Sequence, residues 1–222
     1  MNLKGDYIYR YHDEYFYTLP NPQKRPRSIY PWEKEKEASL VKINKDFFRC
    51  KGFRGNPPRV DPKTKKIFYD CQGALSHSLP MKNDREFIYP ILIDILNAVQ
   101  KKIGKQVKIT SACSCRQHYE YIGGSNPFSK RLKGAKVDFY VQGIEHHPQK
   151  VVEAIDFFYI TRSKKLGSDY SLKVLKKDVW QNPEILLKIK GCKDHRNRDN
   201  FHPYPYLTIE VLFDVNRGQV VD

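Results

Sequence analysis

Between Ser111 and Asp138 the sequence SACSCRQHYEYIGGSNPFSKRLKGAKVD gathers two cysteines, a histidine, a Gly-Gly pair, a basic Ser-Lys-Arg and an aspartate. Cys113 or Cys115 with His118 has the spacing of a Cys–His nucleophile pair, and Arg116 beside them would favour a thiolate. No nucleophile-elbow motif accompanies the pair. A metal is the second chemistry these residue types suggest. His195 and His202 bracket a basic loop, HRNRDNFH, with Cys192 three residues earlier, and His202 could reach the neighbourhood of Asp138. The plainer reading makes them loop histidines that cap turns or pack on Tyr204 and Tyr206, and makes His118 an orienting hydrogen-bond residue.

Five cysteines occur, at 50, 71, 113, 115 and 192. They form neither a CxxC pair nor a zinc-finger spacing. Cys50 and Cys71 flank KGFRGNPPRVDPKTKKIFYD, a Pro- and Lys-rich loop that a disulfide could clip, and such a bond implies an oxidising compartment. The odd count leaves at least one thiol free or paired elsewhere.

The elements that must position these residues are legible in the patterning. REFIYPILIDILNAVQKKI sets Ile88, Leu92, Ile95, Val99 and Ile103 on one helical stripe, with Pro90 tolerated only in the first turn, Lys101 and Lys102 at the end and Gly104 as the stop. QVKITSA (106–112) and KVDFYVQG (136–143) read as strands, the second turning Val137, Phe139 and Val141 to one face and Asp138 and Tyr140 to the other. PQKVVEAIDFFYI is a second amphipathic helix. DYSLKVL, EILLKIK and YLTIEVLF are three further strands, separated by turn-like LGS, QNP and KDHRNRDNFHPYP. Lys36 to Phe48 suggests a helical turn and then a strand. Residues 1–40 are rich in Tyr, Pro and charge and read as an extended arm, and 41–222 as one α+β domain with helices on a mostly antiparallel sheet.

With 40 Lys and Arg against 25 Asp and Glu, the formal charge is +15, which suits an anionic partner. The basic residues are spread along the chain and no nucleic-acid motif is present, so nucleic acid is not the expected partner. No apolar run is long enough to span a bilayer, and no basic-then-apolar signal sequence opens the chain.

The stretch ITSACSCRQHYEYIGGSNPFSKRLKGAKVDFYV resembles the zinc D-alanyl-D-alanine carboxypeptidases that share a fold with the Hedgehog signalling domain. Thr110, Ser111, His118, Gly123, Gly124, Ser129, Gly134 and Asp138 fall in step with that family's pattern, and the flanking helices sit where the family has them. The resemblance covers roughly residues 85 to 218 and implies a Hedgehog/DD-peptidase-like fold. It also implies a zinc held by two histidines and an aspartate. Here the first histidine position holds Arg131, whose guanidinium has no lone pair for a metal. Thr208 stands at the second, two before Glu210. Pro205 occupies the position of the general base, and Ser114 that of the arginine which would hold the substrate carboxylate. Asp138 alone remains.

The resemblance therefore implies a non-catalytic domain in which Ser114, His118, Ser129, Arg131, Asp138 and Glu210 bind a peptidoglycan peptide or another anionic polymer of the cell envelope. Arg131 and Asp138 would form a bidentate pair in the emptied metal cavity. No cofactor is expected on this reading. Two alternatives stay open. One is an active zinc carboxypeptidase with a displaced ligand set such as Asp138, His202 and His195. The other is an interaction protein acting through its basic surface and N-terminal arm. The envelope or periplasm is the compartment implied, with the cytoplasm as alternative.

Overall fold

The computed structural model describes residues 40–73, 77–191, 194 and 196–221, together with the backbones of β1 (Tyr7–Tyr9) and β2 (Phe16–Tyr17), which pair antiparallel. Of the arm expected over residues 1–40, the remainder up to residue 39 lies outside the described residues. Four short strands follow as two hairpins, β3 (Arg59–Val60) with β4 (Ile67–Phe68) and β5 (Met81–Lys82) with β6 (Arg85–Glu86). The chain then forms α1 (Pro90–Ile103), β7 (Val107–Ser111), α2 (Arg116–Tyr121), β8 (Lys136–Val141), α3 (Pro148–Leu166), β9 (Lys173–Lys176) and β10 (Val179–Gln181). It finishes with β11 (Ile185–Lys190), β12 (Tyr206–Val211), β13 (Phe213–Asp214) and β14 (Gln219–Val220).

Six strands make one antiparallel sheet in the order β7-β8-β12-β11-β10-β9. The fold class is α+β, as the patterning indicates. Registers Ile109↔Phe139, Phe139↔Leu207 and Leu207↔Ile189 line up apolar residues across four strands. Because side chains alternate faces along a strand, that face is oily and the other is free to be polar. The helices α1 and α3 cover the oily face, where Leu92, Ile95, Val99 and Ile155 are wholly buried with Val137, Phe139 and Ile209. Each such side chain contributes on the order of 2 kcal/mol by leaving water.

The helix ends follow their sequence signals. Pro90 and Pro148 occupy first helical positions, where a missing N–H costs nothing. Gly104 and Gly167 close the helices at φ 70° and 68°. Helix α3 runs six residues beyond the stretch 148–160, ending at Leu166.

Two local expectations need correction, and one helix has no counterpart among them. Lys36–Phe48 yields no strand among its described residues, because the Asn44 side chain caps a 3₁₀ turn, Lys45–Phe48, that drives Phe47 and Phe48 into the core. RQHYEY is a helix, α2, begun by the Cys115 sulfur accepting from the His118 N–H. The stretch from 169 to 182 holds two strands rather than one, reversed at Asp178, whose φ of 58° suits a tight hairpin.

Candidate functional site

The polar face of the sheet carries the residues singled out above. Asp138 in β8 lies opposite Thr208 in β12 and opposite Ser111 in β7. The β7–β8 register slips between Ile109 and Ser111, a bulge that brings Ser111 rather than Thr110 opposite Asp138. Gly134, at φ +70°, turns the chain into β8, and a Cβ there would stand 3.0 Å from the Phe87 carbonyl oxygen.

Arg131 is buried and donates from one guanidinium nitrogen to the Asp138 carboxylate. Its other terminal nitrogen donates to Ser111 Oγ at 2.6 Å. The expected bidentate pair is thus a one-armed pair, because Ser111 takes the second arm. Asp138 also accepts from Asn200 Nδ2 at 2.6 Å and from Thr208 Oγ1 at 2.9 Å. Burial works against charge on Arg131, but Asp138 overrides it and holds the guanidinium above its ordinary value.

From Ser111 the network continues. Ser111 Oγ donates to Asp199 at 2.5 Å, and the other Asp199 oxygen lies 3.0 Å from His118 Nε2. His118 Nδ1 lies 2.6 Å from Asp70, which also accepts from the N–H groups of Phe53 and Cys71 and from Asn56. Burial lowers the affinity of the His118 ring for a proton, yet Asp199 and Asp70 win and push it up to about 10. The ring is therefore an imidazolium, donating from both nitrogens to carboxylates. The result is a continuous buried chain, Asp70–His118–Asp199–Ser111–Arg131–Asp138, of three acids alternating with two cations.

Two loops bring the missing members in. Asp199 and Asn200 sit in the 3₁₀ turn Arg198–Asn200, opened by the Asn197 side chain. Arg196 gathers that loop by donating to the carbonyls of Gly191, Asn200, His202 and Tyr204. On the other side Lys51 donates to the Ile109 carbonyl and Arg59 to those of Glu120 and Tyr121. These tie the 50–70 loop to β7 and α2.

The other site residues fall in different places. Ser129 Oγ accepts from the Arg131 N–H at 3.4 Å, and Ser114 is buried with no hydrogen-bond partner for its hydroxyl among the described residues. Glu210 lies one pleat beyond Thr208, where burial is outweighed by Lys136 at 2.8 Å, with Lys188 adding to it, and the carboxyl is held low. Pro205 merely leads into β12. His202 packs among the rings of Tyr140, Tyr204 and Tyr206. His195 and Cys192 lie outside the described residues. The Cys50–Cys71 disulfide is not formed. The sulfurs are 3.7 Å apart, nearly twice a bonded separation, and both thiols are free.

A catalytic zinc does not fit at Asp138. The buried Arg131 guanidinium, which has no lone pair for a metal, lies against it, and both carboxylate oxygens are already accepting. Asp138 belongs to neither of the convergent groups of His, Cys and acidic ligand atoms found among the described residues. The residues that sequence reasoning missed are Asp70, Asp199 and Asn200. The last two were hidden inside HRNRDNFH, where the flanking histidines drew attention. Residues 70–165 match the family model described as Peptidase M15, while no curated protein and no solved structure matches the chain.

Proposed function

We propose that the chain, whose residues 70–165 match the peptidase M15 family model, is a non-catalytic member of that family, of Hedgehog-like fold. In it an ion-paired polar network stands where the family's metal would be, and the domain binds a peptide of the cell wall or a similar anionic polymer. The observation that carries the reading is the Arg131–Asp138 pair with its hydrogen-bonded neighbours. Without a metal at Asp138 nothing there would bring a water's pKa toward neutrality, and Pro205 offers no base.

His118, Arg131 and Asp138 are almost wholly buried, so their part in recognition is to hold the surface above them. Three exposed aromatics border the network along the chain: Tyr69 precedes Asp70, Phe201 follows Asn200, and Phe128 lies three residues before Arg131. Exposed rings with basic neighbours, such as Lys133 over Phe128, suit an acidic peptide with apolar side chains. The envelope compartment rests on the family alone, since the disulfide that would have supported it is absent.

Co-sedimentation with purified peptidoglycan tests the reading. The intact protein should pellet with the polymer at moderate salt, and Phe201→Ala together with Tyr69→Ala should weaken retention about tenfold. Retention that survives both changes and disappears only on removal of residues 1–35 would overturn it in favour of the arm.

A further inference from the structure

Beside the buried ion-pair chain lies a second cluster of different chemistry. The Cys50 and Cys71 sulfurs are 3.7 Å apart, and the ligand atoms of Cys71, His77 and Cys115 lie within 4.8 Å of one another. Cys50 and Cys71 also converge with His118. We infer that Cys50, Cys71, Cys115 and His77 form a structural zinc(II) site of the Cys₃His class, separate from the family's catalytic position and independent of the proposed function.

Geometry selects the ligands. At a Zn–S distance near 2.3 Å, two sulfurs on one tetrahedron stand about 3.8 Å apart, which the Cys50–Cys71 separation matches. His118 is not the fourth ligand, because both its nitrogens face carboxylates. His77 is, because its Nε2 is buried and has no hydrogen-bond partner among the described residues.

Two of the sulfurs each accept from a backbone N–H. The Gly73 N–H donates to Cys71 Sγ at 3.4 Å, and the His118 N–H to Cys115 Sγ at 3.3 Å. Such contacts orient sulfur ligands and stabilise their charge.

Cys-x-Gly occurs twice, as Cys50-Lys51-Gly52 and Cys71-Gln72-Gly73. A Cβ at Gly52 would come within 2.2 Å of Cys71 Sγ, and one at Gly73, at φ +94°, within 2.6 Å of the Gly52 carbonyl oxygen. Only glycine lets the two segments close around one point.

Soft thiolates with one imidazole favour zinc over magnesium or calcium, and four protein ligands leave no open position for a substrate water. Binding displaces the thiol protons to solvent. The ion would staple the 50–73 loop to the start of α2, holding Asp70 against His118.

The test is elemental analysis of the full chain, purified under reducing conditions without chelator, followed by replacement with Co²⁺. Expected are about one zinc per chain and, with cobalt, thiolate-to-metal charge transfer with tetrahedral ligand-field bands. Cys71→Ser and His77→Ala should each lower zinc retention at least about tenfold, while Asp138→Asn should retain it. Three results would overturn the site: failure to take up either ion on reconstitution, zinc lost with Asp138→Asn but kept in Cys71→Ser, or a native Cys50–Cys71 disulfide by mass. Should a variant fail to fold, the cobalt spectrum of the unaltered protein decides, and an octahedral spectrum without thiolate bands counts against it.

Discussion

Arg131 reaches back across seven residues to Asp138 and closes an ion pair with it on the buried polar face of the sheet. A buried pair of this kind is costly to break from one side and much less costly to replace as a whole, because the penalty lies in the unpaired charge. Arg131→Ala should destabilise the domain by about 3–5 kcal/mol in urea unfolding, whereas Arg131→Met combined with Asp138→Asn should recover more than half of that loss. A cost for Arg131→Ala below about 1 kcal/mol would mean that the pair is not what neutralises Asp138.

Arg196 leads to a second prediction. Its fork meets four carbonyls of the loop that carries Asp199 and Asn200, and a lysine offers one ammonium in place of that fork. Arg196→Lys should cost about 2 kcal/mol. It should also speed amide exchange across Arg198–Asn200 while leaving α1 protected. Uniform exchange across the domain would contradict a local role.

Acid sensitivity should come in part from Glu86, which takes both arms of Arg49, at 2.9 and 2.8 Å, and so anchors the residue next to Cys50. That contact pulls the Glu86 carboxyl down to about 2. Since the folded value is depressed, the stabilisation is complete above the ordinary carboxylate range and is lost as the pH falls from about 4.5 toward 2. With Glu86 partly exposed, solvent screening leaves on the order of 1 kcal/mol. Arg49→Gln should flatten the stability profile over that window, as followed by urea midpoints. An unchanged slope would mean that Glu86 does not contribute to the acid sensitivity.

The fold was more legible than the site. Helices α1 and α3 carry clean apolar stripes between proline starts and glycine stops, and β8 and β12 alternate apolar and polar residues although both of their faces are buried. These are local signals, readable from neighbouring residues. The register slip that brings Ser111 to Asp138 is a property of two paired strands and leaves no mark on either alone. Asp70 and Asp199 meet at His118 from positions 129 residues apart, and neither has a patterned neighbourhood. Arg131 was readable as a departure from the family pattern, but its second arm on Ser111 was not. The loop between Cys50 and Cys71 does bring them close, but as two free thiols and not as the expected disulfide, with a third sulfur, Cys115 at the cap of α2, beside them.

Zinc content alone does not test whether Asp138 takes part in metal chemistry, because a Cys₃His site would carry zinc elsewhere. The direct measurement is hydrolysis of an acyl-D-alanyl-D-alanine peptide by the reduced, zinc-supplied protein beside its Asp138→Asn variant. No release of D-alanine above the variant's background is expected. Zinc-dependent release that Asp138→Asn abolishes would contradict it.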